Sequence, residues 1–561
     1  MNYKKITVSR FGGINERSDS LGEAVEMVNL TVTKEGSLKK RFGMRKILSL
    51  RGEKILASWE GTICGNECVL FVTSGGFYQY LSDAEAAIFL RPFFGNRAFL
   101  FEFDEKVYIL SDVDLYSFDG GVVERVEGYS PVIAISTDQD GVCELFEAVN
   151  MLTPRRRQKF STDGTNTVLR LLEKDVEKIV SVKYLGDTIS PLKYGFDQAS
   201  STIMLDETPS KGENTIEVEY EAKNSDRAKI LNYEKATVFG GGNDTRVFLY
   251  GSSDEPSYRR HSELGGGVSR ADYFPENNFA SLSGKVITSI IRHYDRQLIF
   301  CLDSAFYSTD ELRQDSLGKY YHSFPIYALN SEKGHVGANA AILINNEPIS
   351  VTYDGIYRWV STSVRDERNA IKISSKVDGK VLGFLQRRNE FPIRLLDDDI
   401  NEELWIVSGS EALIYNYALG VWYFYEGLDF VTFSRCFDTL LLGNEDGDVF
   451  VFEETEDELP IVYVSGKSIL GNGTSRKDIS SFIIEAISKN GGSFDIELFD
   501  APKSFDSRVR LTLLGSDKAD AFRHRLAFRR VRQLYFSLDG EVKDVIISGI
   551  TFNFRERGIL L

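Results

Sequence analysis

The feature that most constrains the fold is a short motif repeated along most of the chain, in which an apolar strand, a tight turn and an aromatic-rich strand follow one another. The motif occurs in segments that begin at Cys68, Lys106, Thr245, Arg296, Glu347, Glu402 and Asp438. Each turn contains Gly, Asp, Asn or Ser, the residues that β-turns favour. Because one hairpin cannot bury its own apolar face, the repeats must pack together. Their period of roughly 35 to 50 residues is that of propeller blades.

We therefore predict an all-β protein with a β-propeller of about seven blades, six or eight being neighbouring possibilities and a pair of β-sandwiches the alternative. A chain of 561 residues is too long for one compact core, and its 47 glycines and 12% aromatic residues suit pleated sheets with tight turns. We predict five segments, which are an N-terminal docking arm (1–50), a first group of blades (51–135), an inserted β-sandwich (136–235), a second group of blades (236–458) and a C-terminal β-sandwich (459–561).

The predicted docking arm contains a double glycine, a short helix and a hairpin. Ser20 and Glu23 have the spacing of a capping box, and apolar residues after them lie on one face of a helix that ends near Asn29. Two strands then flank a turn at Gly36. A basic stripe follows, which is either a solvated hairpin edge or a contact for an acidic neighbour or phosphate. It comprises Lys39, Lys40, Arg41, Arg45 and Lys46.

Two further arginine clusters are possible interface residues. The cluster in the inserted segment is either a solvated loop or a contact with phosphate or an acidic partner, and it comprises Arg155, Arg156 and Arg157. The cluster in the last segment covers a strand edge, pairs with a neighbouring subunit or forms a basic face for single-stranded nucleic acid. It comprises Arg529, Arg530 and Arg532.

The sequence contains no recognisable catalytic or metal-binding motif. The five histidines lack helical metal spacing and the five cysteines are too scattered for a disulfide framework, so we predict free thiols and neither metal nor cofactor. The acidic run Asp397–Asp399, with Glu402 and Glu403, is either a solvated turn or the carboxylate pair of a glycosidase. The net charge of −17 argues against a protein that binds nucleic acid over its whole surface. No signal peptide or transmembrane segment is predicted.

Two stretches of the chain resemble a family of tailed-bacteriophage virion proteins. The first, "FGGIN…EAVEMVNLTVTKEGSLKKRFG", is similar to the N-terminal signature of the family, although Phe11 here directly precedes the two glycines. The matching positions are Phe11, Gly12, Gly13, Asn15, Asn29, Gly36, Leu38, Arg41 and Gly43. The second stretch resembles a family motif at Tyr273, Phe274, Pro275, Glu276 and Asn277.

The family comprises tail nozzle, or tail tubular B, proteins and the related head–tail stabilisation proteins. The resemblance implies a virion subunit without enzymatic activity, six copies of which form a ring below the portal and adaptor and continue the DNA channel. The implied partners are further copies of the chain, portal or adaptor proteins, other tail proteins and passing double-stranded DNA, with no membrane. The alternatives are a distal-tail or baseplate scaffold and a host-glycan-binding propeller. The glycan alternative requires exposed aromatic residues beside carboxylates at one face of the propeller. Trp359, Trp405 and Trp422 are candidates, but strand alternation places them more simply in the cores of the blades.

Overall fold

The computed structural model is almost entirely β-structure, so the predicted all-β class is confirmed. It describes residues 3–81, 84–223, 225–241, 244–314, 316, 318, 320–360, 369–436, 438–500 and 507–557. Within these ranges the helical elements are α1 (Arg227–Leu231), α2 (Asp378–Arg387) and a 3₁₀ turn at Pro191–Lys193.

The first half of the chain provides five N-terminal strands, two sheets and an inserted unit. The N-terminal strands are β1 (Lys4–Val8), β2 (Ala24–Val28), β3 (Leu30–Val32), β4 (Leu38–Lys40) and β5 (Gly43–Ser49). The first sheet contains β6 (Ile55–Ile63), β7 (Asn66–Thr73), β8 (Gly76–Leu81) and β9 (Ile88–Pro92). The second contains β10 (Ala98–Phe103), β11 (Lys106–Ser111), β12 (Leu115–Phe118) and β13 (Val123–Arg125). The inserted unit contains β14 (Val132–Thr137), β15 (Glu144–Leu145), β16 (Arg155–Thr162), β17 (Val168–Arg170), β18 (Val176–Tyr184), β19 (Asp187–Thr188), β20 (Tyr194–Asp197), β21 (Thr202–Leu205) and β22 (Gly212–Ala222).

The second half provides five more four-stranded sheets and the C-terminal strands. The third sheet is built from β23 (Lys235–Gly241), β24 (Asp244–Tyr250), β25 (Tyr258–His261) and β28 (Phe279–Ser281), with a small hairpin of β26 (Leu264–Gly265) and β27 (Val268–Ser269). The fourth is built from β29 (Ile287–His293), β30 (Arg296–Cys301), β31 (Ala305–Thr309) and β34 (Ile326–Asn330), with a hairpin of β32 (Glu311–Gln314) and β33 (Tyr320–Ser323). The fifth contains β35 (Ala341–Ile344), β36 (Glu347–Thr352), β37 (Gly355–Trp359) and β38 (Ala370–Lys372).

The remaining strands form two sheets and a two-layered C-terminal unit. The sixth sheet contains β39 (Arg394–Asp398), β40 (Glu403–Ser408), β41 (Glu411–Asn416) and β42 (Val421–Glu426). The seventh contains β43 (Thr432–Cys436), β44 (Thr439–Gly443), β45 (Asp448–Glu453) and, as its outer strand, β5. The C-terminal strands are β46 (Leu459–Ser465), β47 (Lys477–Ser488), β48 (Gly492–Phe499), β49 (Ser507–Leu513), β50 (Ser516–Val531), β51 (Tyr535–Val542) and β52 (Ile546–Glu556).

Successive four-stranded sheets contact each other through their first strands. The neighbours run in the order β43, β6, β10, β23, β29, β35 and β39. Arg394 of β39 links the sixth sheet to the seventh, since its guanidinium donates to the carbonyl oxygens of Phe430 and Val431, just before β43. The contacts therefore link the seven four-stranded sheets one after another, and the propeller of about seven blades stays a prediction.

The two interruptions predicted as β-sandwiches each contain two sheets around an apolar core. In the inserted unit, a six-stranded sheet ordered β15-β14-β16-β22-β18-β19 faces a three-stranded sheet ordered β17-β21-β20. In the C-terminal unit, one sheet has the order β2-β46-β51-β48-β49 and the other β3-β4-β52-β47-β50, with β1 also paired to β52. Between the two layers, Tyr463 stacks on Phe536 of its own sheet, and Phe536 contacts the tilted ring of Phe552 in the other sheet.

The N-terminal strands are thus integral parts of other sheets, which corrects the prediction of a separate arm at 1–50. The predicted helix after Ser20 is also wrong, because Ala24–Val28 forms β2 and pairs antiparallel with β46. Instead of closing a capping box, the Glu23 carboxylate accepts hydrogen bonds from the side chains of Asn15 and Ser18. The hairpin prediction is confirmed, with β3 paired to β4 and Gly36 in the turn at a φ of +90°.

Candidate functional site

The family-like N-terminal residues converge on a hydrogen-bond network centred on Asn29 and Arg41. Asn29 has a φ of +54°, a left-handed conformation that asparagine tolerates better than most side chains, and it separates β2 from β3. Its side-chain oxygen accepts from Arg41 Nε at 2.8 Å and from the backbone N–H of Glu426 at 2.9 Å. Its side-chain nitrogen donates to the carbonyl of Pro460 at 2.9 Å. One asparagine therefore joins the N-terminal strands, the sixth sheet and the C-terminal unit.

Arg41 is held in this network by backbone carbonyl groups. It is 2% exposed, and its terminal nitrogens donate to the carbonyl oxygens of Phe42 at 2.6 Å and Glu426 at 2.8 Å. Burial lowers the pKa of Arg41 to about 10, which leaves the guanidinium charged at neutral pH. The predicted role of Arg41 in an exposed basic stripe is therefore wrong, because its donors are used inside the chain.

The double glycine lets the chain pass directly against the sixth sheet. Gly13 has a φ of +71°, and a Cβ built there would lie 2.6 Å from the carbonyl oxygen of Trp422. The next residue, Ile14, donates its N–H to that same oxygen at 2.8 Å. Gly12 donates its N–H to Gly22 O at 2.7 Å, and Phe11 packs edge-on against a buried tyrosine of β46. The glycines therefore serve close backbone contact within the chain.

The rest of the basic stripe also has partners within the chain. Lys40 is 4% exposed, and its ammonium donates to the carbonyl oxygens of Thr455 and Asp457 at 3.0 and 2.9 Å. Lys39 lies 3.6 Å from the carboxylate of Glu454. Of the other predicted positions in this stretch, Leu38 and Gly43 are buried, and Asn15 is half-buried and donates to the Glu23 carboxylate.

A cavity of about 210 Å³ lies between the N-terminal hairpin and the sixth sheet. Its lining includes Val32, Arg41, Tyr423 and Glu403. Glu403 is 6% exposed, and burial, with a smaller contribution from the charge of Asp398, raises the pKa of its carboxyl to about 8. The same burial that lowers the pKa of Arg41 therefore keeps Glu403 mostly protonated at neutral pH.

The acidic run before Glu403 is only partly the solvated turn that the sequence suggests. Asp398 is fully buried, and its carboxylate accepts from the backbone and side-chain nitrogens of Asn401 at 3.0 and 2.8 Å. Burial, followed by the charge of Asp399, raises the pKa of Asp397 to about 6. Asp399 itself pairs with Arg435 at 2.5 Å. These contacts give two of the acids structural roles in the turn between β39 and β40.

The second family-like stretch lies where the inserted unit meets the third sheet. Asn150 donates through its side chain to Tyr129 O and Asp272 O at 2.9 and 2.8 Å, and accepts from the N–H of Phe274 at 3.0 Å. Tyr273 is buried, and its hydroxyl donates to the carbonyl of Ala148 at 2.7 Å. Within the motif Pro275 is buried, whereas Glu276 and Asn277 are exposed.

The first arginine cluster lies on β16, where a solvated loop was one prediction. Arg155 contacts Glu221 at 3.3 Å, and Arg156 is buried against Glu173. Arg157 donates to Ser130 O at 2.8 Å and lies over the ring of Tyr129. The solvated-loop prediction is therefore wrong, because β16 is an inner strand whose arginines neutralise acids of the same unit.

The second arginine cluster differs, because its side chains are exposed. Arg529 and Arg530 lie at the end of β50, and Arg532 follows it. The backbone N–H groups of Arg530 and Arg532 donate to Asp478 and Asp500 at 3.1 and 2.7 Å. Their positively charged side chains face solvent at the end of the C-terminal unit.

Four further features bear on function: the exposure of the tryptophans, the state of the cysteines, the grouping of possible metal ligands and the length of the helices. Trp359, Trp405 and Trp422 are at most 4% exposed, so they cannot stack against a sugar. The five cysteines are free thiols, as predicted. Among the described residues, no three His, Cys, Asp or Glu side chains are grouped so as to hold a metal ion. In the same ranges, neither α-helix has the length and apolar character needed to cross a bilayer.

The comparisons with known proteins give only distant likenesses. No family model and no curated protein matches the chain. The AfRom2 CNH domain matches 73% of this chain and 98% of its own at 8% identity and a TM-score of 0.31. Kluyveromyces lactis Hsv2 matches 66% of this chain and 97% of its own at 9% identity and a TM-score of 0.24. The exo-β-1,3-galactanase from Phanerochaete chrysosporium matches 80% and 95% at 8% identity and a TM-score of 0.17. Likeness at these scores supports no conclusion about fold or activity.

Proposed function

We propose that this chain is a non-enzymatic structural subunit of a tailed-bacteriophage particle. In this proposal the seven four-stranded sheets are the blades of a propeller, and copies of the chain close into a ring that continues the DNA channel below the portal and adaptor. The ring helps to retain and release the genome, and six is its expected number of subunits.

The observation that carries the proposal is the position of the two family-like motifs. Asn29 and Arg41 join the sixth sheet to the C-terminal unit, and Tyr273 and Phe274 join the inserted unit to the third sheet. Both motifs therefore consist largely of residues that fix separate units against each other. Residues that fix separate units against each other suit a rigid scaffold, in which the relative position of the units is the functional property.

The charge of the chain also supports a channel rather than a nucleic-acid-binding surface. Each Lys or Arg that contacts a phosphate adds salt-dependent affinity, which would slow the passage of DNA. With −17 per chain, a ring of several copies presents an excess of negative charge to the genome. The basic side chains of Lys40, Arg41 and Arg155 contact carbonyl or carboxylate groups of the same chain.

The glycan-binding alternative loses its candidate residues, since the three tryptophans that it requires at the surface are buried. A distal-tail or baseplate scaffold makes the same demands on rigidity and charge as a ring below the portal. The two scaffold roles differ only in position within the particle.

Cryo-EM of the purified virions that contain this polypeptide tests the proposal, with mass spectrometry to identify the chain. A sixfold ring around a DNA-filled channel below the portal is the expected result. Density at the tail tip would replace the proposal with the baseplate role, and absence of the chain from purified particles would refute a virion function.

A further inference from the structure

The C-terminal unit has a long strand with an open edge. β50 is 16 residues long and lies at the end of the order β3-β4-β52-β47-β50, so β47 is the one strand that pairs with it among the residues that the structure describes. Between Asp520 and Arg525 the pairing with β47 is regular, whereas register shifts interrupt it on either side. A regular edge of this length presents unpaired backbone groups that can accept another extended segment.

The exposed side chains of this strand are strongly basic. From Ser516 to Arg532 the chain contains six Lys and Arg residues and two Asp residues, although the whole protein is acidic. Arg523 and Arg525 are exposed, while Phe522 and Leu526 pack against the core on the other face. In the described part of the chain, no carboxylate lies within salt-bridge distance of the arginines of β50 and its end, which are Arg523, Arg525, Arg529, Arg530 and Arg532.

The preceding strand in the chain, β49, lies at the edge of the other sheet and shows that this lack of ion pairs is local. Its arginines, Arg508 and Arg510, contact Asp495 of β48 at 2.5 and 3.5 Å. Charged residues alone can protect an edge strand from pairing. A row of like charges without counter-charges repels itself, however, and an acidic segment from outside the chain would relieve that repulsion.

The same protein carries an exposed acidic segment that matches this requirement. Between β45 and β46, residues 453–458 read Glu-Glu-Thr-Glu-Asp-Glu and lie outside any strand after Glu453. Glu453 and Glu454 pair with Arg45 and Lys39. Glu456, Asp457 and Glu458 are exposed, and the described residues provide them with no salt bridge. Lys40 holds the backbone of this linker through the carbonyl oxygens at 455 and 457, so the free carboxylates are presented at a fixed place.

We propose that the open edge of β50 binds the acidic linker 453–458 of a second copy of this chain. Carboxylates of the linker pair with Arg523 and Arg525, and its backbone adds to the unpaired edge. Because the two surfaces are different parts of one chain, the contact is head-to-tail, and its repetition produces a closed ring or an open filament. The inference deepens the proposed ring function and rests on it for the closed form.

The test measures self-association of the purified full-length protein by sizing with light scattering over a concentration series. Charge reversal in the double variant Arg523→Glu/Arg525→Glu is expected to weaken association by about tenfold or more. The matched control, Arg523→Lys/Arg525→Lys, retains the charge and is expected to associate much as the wild type does. Reversal on the linker, Glu456→Arg/Asp457→Arg, is expected to cause the same loss. An equimolar mixture of the two charge-reversed proteins tests complementarity, since their reversed surfaces match and should restore mixed assembly.

Hydrogen exchange locates the contact independently of the charge variants. Amides of 516–531 and of 453–458 are expected to become protected as the wild-type protein associates, and circular dichroism checks that each variant is folded. Three results would each overturn the inference: a wild-type protein that stays monomeric at every concentration, association that both reversals leave unchanged, or association without protection at 516–531. A virion ring whose copies meet at other surfaces would also overturn it and leave the proposed function intact.

Discussion

Replacement of Glu403 by glutamine should make the protein progressively more stable than the wild type as the pH rises. Glu403 lines the cavity between the N-terminal hairpin and the sixth sheet, and its pKa is raised from 4.5 to about 8, mainly by burial. The unfolded chain loses this proton near its ordinary pKa, whereas the folded chain keeps it until the pH approaches 8. Glutamine has nearly the same shape and never ionises, so Glu403→Gln removes the cost of ionising the buried group.

The sign and size of the effect follow from proton linkage. An acid whose pKa is raised in the folded state contributes its full stabilisation when the pH is below its pKa in the unfolded chain. That stabilisation is lost as the pH rises towards its pKa in the folded chain. The loss is about 1.4 kcal/mol per pH unit within this window. Between pH 6.5 and 8.5 the unfolding free energies of the variant and the wild type should therefore diverge by roughly 2 kcal/mol, and above about pH 9 the difference should level off.

Urea denaturation at several pH values provides the assay. Two of the four tryptophans, Trp405 and Trp422, lie in the sheet that contains Glu403, so tryptophan fluorescence follows its unfolding. Glu402→Gln is the matched control, because it removes a half-exposed carboxylate from the same turn and should give a curve parallel to that of the wild type. If the unfolding free energies of Glu403→Gln and the wild type keep a constant difference from pH 6.5 to 8.5, the raised pKa of Glu403 in the folded protein is refuted.

Three further substitutions test the joints. Gly13→Ala should lower the unfolding free energy by roughly 2 kcal/mol or more in a denaturation experiment, because the new Cβ meets a carbonyl oxygen and φ is positive. Gly52→Ala is the control for backbone strain alone, since Gly52 has a φ of +69° and open space around it. Arg41→Met should lower the unfolding free energy by roughly 3 kcal/mol or more, because it leaves buried hydrogen-bond acceptors without donors. A melting temperature within about 1–2 °C of the wild type, the shift of a neutral surface substitution, would contradict this expectation. Asn150→Ala should increase hydrogen exchange at the Phe274 amide, which loses its acceptor, and leave exchange in the C-terminal unit unchanged. Exchange at Phe274 equal to that of the wild type would contradict the role of Asn150 in joining these units.

The sequence predicts the sheets better than it predicts their assembly. Strand alternation and turn residues are local signals, so the hairpins, including the one around Gly36, are recognisable in the amino-acid order. The segment from Leu21 to Val28 has helical spacing, but pairing with β46 decides its structure, and β46 is more than 400 residues away. Long-range pairing of this kind leaves no local trace.

In the candidate site, too, the sequence indicates the local motifs but not the long-range contacts. The motif residues are identifiable from the sequence, but the sequence predicts for them a role in docking to other proteins. Arg41 and Lys40 are buried because carbonyl oxygens from distant segments accept their hydrogen bonds, and a basic run gives no indication of such partners. The sequence identifies Glu403 only as part of an acidic turn, because the cavity that it lines also involves the distant N-terminal hairpin.

The pairing of β5 with β45 and of β1 with β52 affects how the chain reaches its folded state. The seventh sheet joins Gly43 to Glu453, and the C-terminal unit joins Lys4 to Phe554. During synthesis the first strands must remain without partners until most of the protein has been made, and closing such large loops makes folding slow. Unpaired strands are prone to aggregate in that interval, so the chain should depend on chaperones or rapid completion of translation. Once both pairings are made, unfolding must break contacts at the two ends together, which favours a long-lived folded state.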